Sequence, residues 1–133
     1  MSYKNMNILI KLYICKSQVR NVHDIMNTQF LPMLCANYFC TPLCKNHPYI
    51  FEKYYQTNYG SFMDISIPVL VNKNELLKNK CHLNYITRLF YHKKKLAKYL
   101  ERNISYDLYN FFYKHPHISM KSTSLKYVHV NTL

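Results

Sequence analysis

Glycine is nearly missing from this chain of 133 residues: there is one, Gly60, and there is no tryptophan. One glycine excludes the glycine-rich loops that cradle phosphates, since both the P-loop and the dinucleotide fingerprint need several. Acidic residues are also few, 6 against 18 Lys plus Arg, which gives a formal charge of +12. The six are Asp24, Glu52, Asp64, Glu75, Glu101 and Asp107. They are scattered, and no two stand at a spacing that suggests general acid/base work or a two-metal centre. Arginine is short as well, limited to Arg20, Arg88 and Arg102. Planar, bidentate recognition of phosphate and guanine favours arginine, so most of the positive charge here is of the less specific ammonium kind.

What is present is skewed in one direction. Phe, Tyr, Met, Ile, Asn and Lys supply about half the chain, while Gly, Ala, Arg and Pro supply under a tenth. The first group has A/T-rich codons and the second G/C-rich ones. An A/T-rich reading frame therefore raises lysine and lowers acids together, with no ligand demanding either. The 14 tyrosines follow the same rule. At 49% hydrophobic content the chain is not forced into disorder. Its length suits one small domain able to bury roughly two-thirds of its unfolded surface.

Hydrophobic periodicity predicts an α+β fold, mainly helical in the C-terminal half with a few short strands. Ile8, Ile10, Leu12 and Ile14 alternate with Leu9, Lys11, Tyr13 and Cys15, a period of two that predicts a strand over 7–15. Lys11 interrupts the apolar core that a secretory signal would need, and no small-residue cleavage site follows. Residues 25–44 carry no charge, but Asn27, Gln29, Asn37, Pro32 and Pro42 argue for a buried helix near 31–40 over a membrane span. Ile65–Val71 is β-branched and holds Pro68, which predicts a short edge strand. Residues 74–114 repeat apolar positions three or four apart. Asn74 and Ser105 read as caps, which predicts helices over 75–102 and 106–114. Residues 46–64 and 115–133 read as the less ordered stretches, with a short alternation from Leu125 suiting a last strand. Few turn residues and a helix of nearly all-round hydrophobicity at 106–114 point to poor packing.

Several constellations have residue types that could carry chemistry. Cys35, Cys40, Cys44 and His47 are of the kind that bind zinc in tetrahedral geometry. Their spacing is tight, with Pro42 among them and no glycine for the turns, and the competing reading is cysteine as a small apolar residue. Five cysteines are an odd number without a secretory signal, which predicts reduced thiols in an intracellular, reducing compartment. His115 and His117 would face one side of an extended segment, with no further ligand near in sequence. Cys81 beside His82, and His23 beside Asp24, point apart in any helix or strand, so no nucleophile–base pair is visible. No enzymatic activity and no cofactor are expected.

The densest basic patch is Lys93, Lys94, Lys95, Lys98 and Arg102. On a helix Lys94, Lys98 and Arg102 share a face, with Tyr91 and Tyr99 close enough to stack on unpaired bases. A solvated helix face is the competing reading. The composition by itself fits a small basic protein from an A/T-rich frame with no evolved activity, or one restricted to a single lineage. Two other readings stand beside it: a non-enzymatic nucleic-acid-binding protein using the basic patch, and a membrane-associated protein using 25–44 or the N-terminal stretch. Non-specific binding to polyanions follows from the charge alone.

Overall fold

The computed structural model describes residues 4–16, 24, 26–39, 50–57, 60–78, 85–114 and 120–132. The alternating N-terminal segment is strand β1, Asn5–Lys16. Three consecutive helical segments follow: Met26–Phe30 and Cys35–Phe39 are π-helical and flank the α-helical turn Leu31–Leu34. Together they are called α1, with Pro32 at the start of the α-helical turn. Strands β2, Ile50–Thr57, and β3, Gly60–Asn72, come next. Three helices follow, α2 Lys73–Lys78, α3 Tyr85–Leu89 and α4 Lys93–Tyr113, and the last element is strand β4, Met120–Thr132. The fold is a small α+β one, with a helical stretch from Lys73 to Tyr113.

The four strands form one sheet in the order β2-β3-β1-β4, antiparallel throughout. β1 is a central strand, paired along its whole length with β3 on one side and β4 on the other. Its period of two sets one buried face. Met6, Ile8, Ile10 and Leu12 lie across from Val71, Val69, Ile67 and Ile65 of β3, and all eight are buried. Val128 and Val130 of β4 continue that face beside Ile10 and Ile8. The helices supply the second layer. Met26, Phe30, Leu31, Leu34, Tyr38 and Phe39 of α1 join Leu96, Leu100, Ile104, Leu108, Phe111 and Phe112 of α4 and the sheet residues in a single buried cluster. The Phe30 and Phe111 rings meet edge to face with centroids 5.3 Å apart, linking the two helices.

Several expectations need correcting. The strands are long, and β2 and β3 occupy much of 46–64, where aromatic residues without clear alternation suggested a loop. β3 is interior over Gly60–Ser66, but from Ile67 on, among the described residues, it is paired on the β1 side alone, so the edge position expected of Pro68 holds and it is the strand's length that exceeds expectation. Its register with β2 ends at Ile50↔Ser66 while its register with β1 runs on to Asn72, so Pro68 has a strand partner only in Leu9 of β1. A proline lacks the N–H that a second neighbour would need. The helix boundary expected at Ser105 is absent. α4 runs through it, because Leu96, Leu100, Ile104, Leu108 and Phe111 form an unbroken stripe three or four apart. The boundary lies instead at Phe90–His92, where the His92 N–H donates to Leu89 O at 2.8 Å. Asn72, not Asn74, caps α2: its Oδ1 accepts from the N–H groups of Asn74 and Glu75 at 2.8 and 3.2 Å. The buried residues among those described form one contiguous cluster. The all-round hydrophobicity of 106–114 resolves into buried Leu108, Phe111 and Phe112, with Tyr109 and Tyr113 exposed.

Candidate nucleic-acid interface

The core stripe of α4 dictates what its other side presents. At about 100° of rotation per residue, Lys95 and Arg102 stand nearly opposite the centre of that stripe, with Lys98 and Tyr99 to either side. Lys95, Lys98 and Arg102 are exposed. With Tyr85 and Leu89 of α3 and Tyr99 of α4 they line an open cleft of about 340 Å3. α3 and α4 are held side by side by the short turn through Phe90 to His92, whose Phe90 ring is fully buried. The Tyr85 and Tyr99 rings pack with centroids 4.9 Å apart and planes tilted by 39°. Tyr99 packs against the core, whereas Tyr85 is 49% exposed.

The cleft is electrostatically one-sided. α4 carries two carboxylates, Glu101 and Asp107, and both are engaged elsewhere. Glu101 Oε1 accepts the backbone N–H of Val128 in β4 at 3.2 Å, and the Asp107 carboxylate accepts the Tyr38 hydroxyl of α1. Among the described residues none of Lys93, Lys94, Lys95, Lys98 and Arg102 has an ion-pair partner.

Of the residues named from sequence, the fold brings Lys95, Lys98, Arg102 and Tyr99 together. Lys93 and Lys94 are exposed at the start of the same helix but do not line the cleft. Tyr91 does not join them either: its ring lies 4.2 Å below the Lys73 ammonium, which also donates to its hydroxyl. Tyr85 takes the place expected of Tyr91. Sequence spacing had no means of finding it, because Tyr85 reaches Tyr99 through the packing of α3 on α4.

The cysteine–histidine string stands differently. Cys35 is buried in α1 and disulfide-bonded, which corrects the expectation of reduced thiols throughout. A sulfur in a disulfide is not a thiolate available to zinc. Cys40, Cys44 and His47 lie outside the described residues, as do Cys81, His82, His115 and His117. Among the described residues no three His, Cys, Asp or Glu side chains are grouped so as to hold a metal ion.

A second concavity of about 350 Å3 lies on the sheet, lined by Asn7, Leu9, Pro68, Leu70, His129 and Asn131 among others. Its polar side chains are two amides and one imidazole, with no lysine, arginine or carboxylate among the lining residues. The described parts of the two apolar stretches considered for membrane contact are built into the fold: β1 is a paired interior strand of the sheet, and the buried side chains of α1 belong to the core. Among the described residues no helix is long and apolar enough to cross a membrane. No protein-family model matches the chain, and no curated protein or solved structure is significantly similar to it.

Proposed function

We propose that this chain is a small, non-enzymatic basic protein that binds nucleic acid through the exposed side of α4, with Lys95, Lys98 and Arg102 at the centre of the contact and Lys93 and Lys94 at its margin. The observation that carries this reading is the cleft between α3 and α4. Base usage in the gene accounts for how many lysines and tyrosines the chain has, and an amphipathic helix turns its lysines outward whatever they bind. Neither accounts for three cations with no ion-pair partner among the described residues, set beside a packed pair of tyrosine rings, with both carboxylates of the helix engaged by other elements. Cations track phosphates and aromatic faces accept bases.

The test is a fluorescence titration of the intact protein with labelled nucleic acid across a salt series. Neutralising Lys95, Lys98 and Arg102 together to glutamine is expected to weaken binding at least tenfold at low salt. It should also flatten the dependence of log K on log salt by about 2, since each phosphate contact contributes about 0.7 to 0.9 to that slope. All three are exposed, so the variant should keep its fold, which circular dichroism checks. Unchanged affinity and slope would reject this site. They would leave the composition of the gene as the full account of the charge, and the chain without a specific activity.

A further inference from the structure

The nucleic-acid reading leaves open what form of nucleic acid the cleft takes. We infer that it is a platform for an unpaired nucleobase, so that the ligand is single-stranded; this inference rests on the reading above. Three features of the α3–α4 surface point the same way. The first is the ring pair. Tyr99 is anchored against the core, and Tyr85 leans on it while remaining half exposed, so one supported phenol face meets solvent. A base within a duplex is already stacked on both sides and offers no face to such a ring, whereas an unpaired base does.

The second feature is the position of the cations. Lys95, Lys98 and Arg102 lie beside the rings in one cleft. Lys95 and Arg102 are about 10 Å apart along the helix axis, so the three cations can meet neighbouring phosphates of one strand. A single strand laid along α4 thus keeps its phosphates on the cations while one base turns onto Tyr85.

The third feature is what α4 is prevented from doing. A helix that reads duplex DNA enters the major groove, about 12 Å wide, which admits one helix and little more. α4 is flanked by α3 on its cationic side and packed on β4 behind, so its cation-bearing face does not stand alone.

The experiment measures anisotropy with two labelled probes, a 12-nucleotide thymidine oligomer and a 12-base-pair duplex of two separate strands with every base paired, on wild type and on Tyr85→Leu. The variant keeps an apolar side chain at a half-exposed position. Tyr99→Leu serves as a second variant, with circular dichroism to confirm its fold. The expected result is that the single strand binds wild type about tenfold or more tighter than the duplex. Tyr85→Leu should then lose about tenfold in single-strand affinity, with its salt slope and its duplex affinity unchanged. Equal affinity for the two probes, or single-strand affinity untouched by both tyrosine variants, would overturn the stacking platform and leave the cationic interface standing. Failure of both probes to bind at low salt would overturn the nucleic-acid reading itself, and this inference with it.

Discussion

At the scale of single residues, the contact most worth testing joins Tyr38 of α1 to Asp107 of α4. Tyr38 is 7% exposed and donates its hydroxyl to the Asp107 carboxylate. Burial, then the hydrogen bond and negative charge of Asp107, push the phenol well above its ordinary range. The sign follows directly. A group whose pKa is raised in the folded state stabilises fully below its unfolded value. It loses that contribution as pH climbs from about 10, where the unfolded phenol ionises, towards the folded value. Stability should therefore decline above about pH 10, and Tyr38→Phe should remove part of that decline. At neutral pH the same substitution should cost about 1–2 kcal/mol, the usual loss for a hydrogen bond to a charged partner. Urea titrations of both proteins at pH 7 and pH 10.5 measure both effects. A pH dependence identical in the two would show that Tyr38 ionises as freely in the folded chain as in the unfolded one. Ser66 is the opposite case. Its Oγ is buried and has no hydrogen-bond partner, an unrecovered desolvation that the strand pairing around it must outweigh.

At the scale of elements, α4 decides most. Its core stripe is regular enough to hold 21 residues in one helix although Asn103, Ser105 and Asp107 imitate a helix start. The two readings predict opposite outcomes for a proline at 106. Were Ser105 an N-cap, position 106 would be the first helical residue, where proline is well tolerated. In a continuous helix proline deletes an interior hydrogen bond and clashes with the preceding turn, at about 3 kcal/mol or more. Tyr106 is 66% exposed, so loss of its own packing adds little. Tyr106→Pro should therefore lower stability by about 3 kcal/mol and reduce helical circular dichroism. A neutral effect would restore the two-helix reading. α4 also serves the sheet: by accepting the Val128 N–H, Glu101 satisfies a backbone donor of β4, a strand with β1 on one side only. Covering an edge strand in this way removes a template for pairing with other chains.

At the scale of the whole molecule, the first and last described strands are paired. Met6 of β1 pairs with Thr132 of β4, and β1 pairs with β3 across an intervening stretch that includes α1 and β2. Pairings so distant in sequence make closure costly in chain entropy and folding slow, of the order of milliseconds to seconds. They also make stability cooperative. A chain truncated after Lys114 loses Val128 and Val130 from the core and leaves one whole side of β1 unpaired. It should lose the single sigmoidal urea transition expected of the full chain, measured by tyrosine fluorescence and circular dichroism together. A truncated chain that still unfolds sharply would show that β4 is an addition to a self-sufficient core.

How much of this could be read in advance depended on the range of the interaction. The alternation of Ile8, Ile10 and Leu12 set a strand and its buried face, and the spacing of Leu100, Ile104 and Leu108 set a helix and its inner side. Both are local consequences of backbone geometry, in which side-chain direction repeats every 2 or 3.6 residues. The exposed cations of α4 followed from that same periodicity. Tertiary packing decided the rest. β3 is interior over Gly60–Ser66 and an edge beyond, because β2 pairs with only part of it. Ser105 sits within a helix because the stripe buried beneath it outweighs a capping side chain. Tyr91 is held by Lys73 while Tyr85 meets Tyr99, because α3 and α4 dock at one particular angle. The sequence by itself determined which faces avoid water. Which of the remaining side chains are brought together was settled only by contacts between residues far apart in the chain, and local pattern carries no record of those.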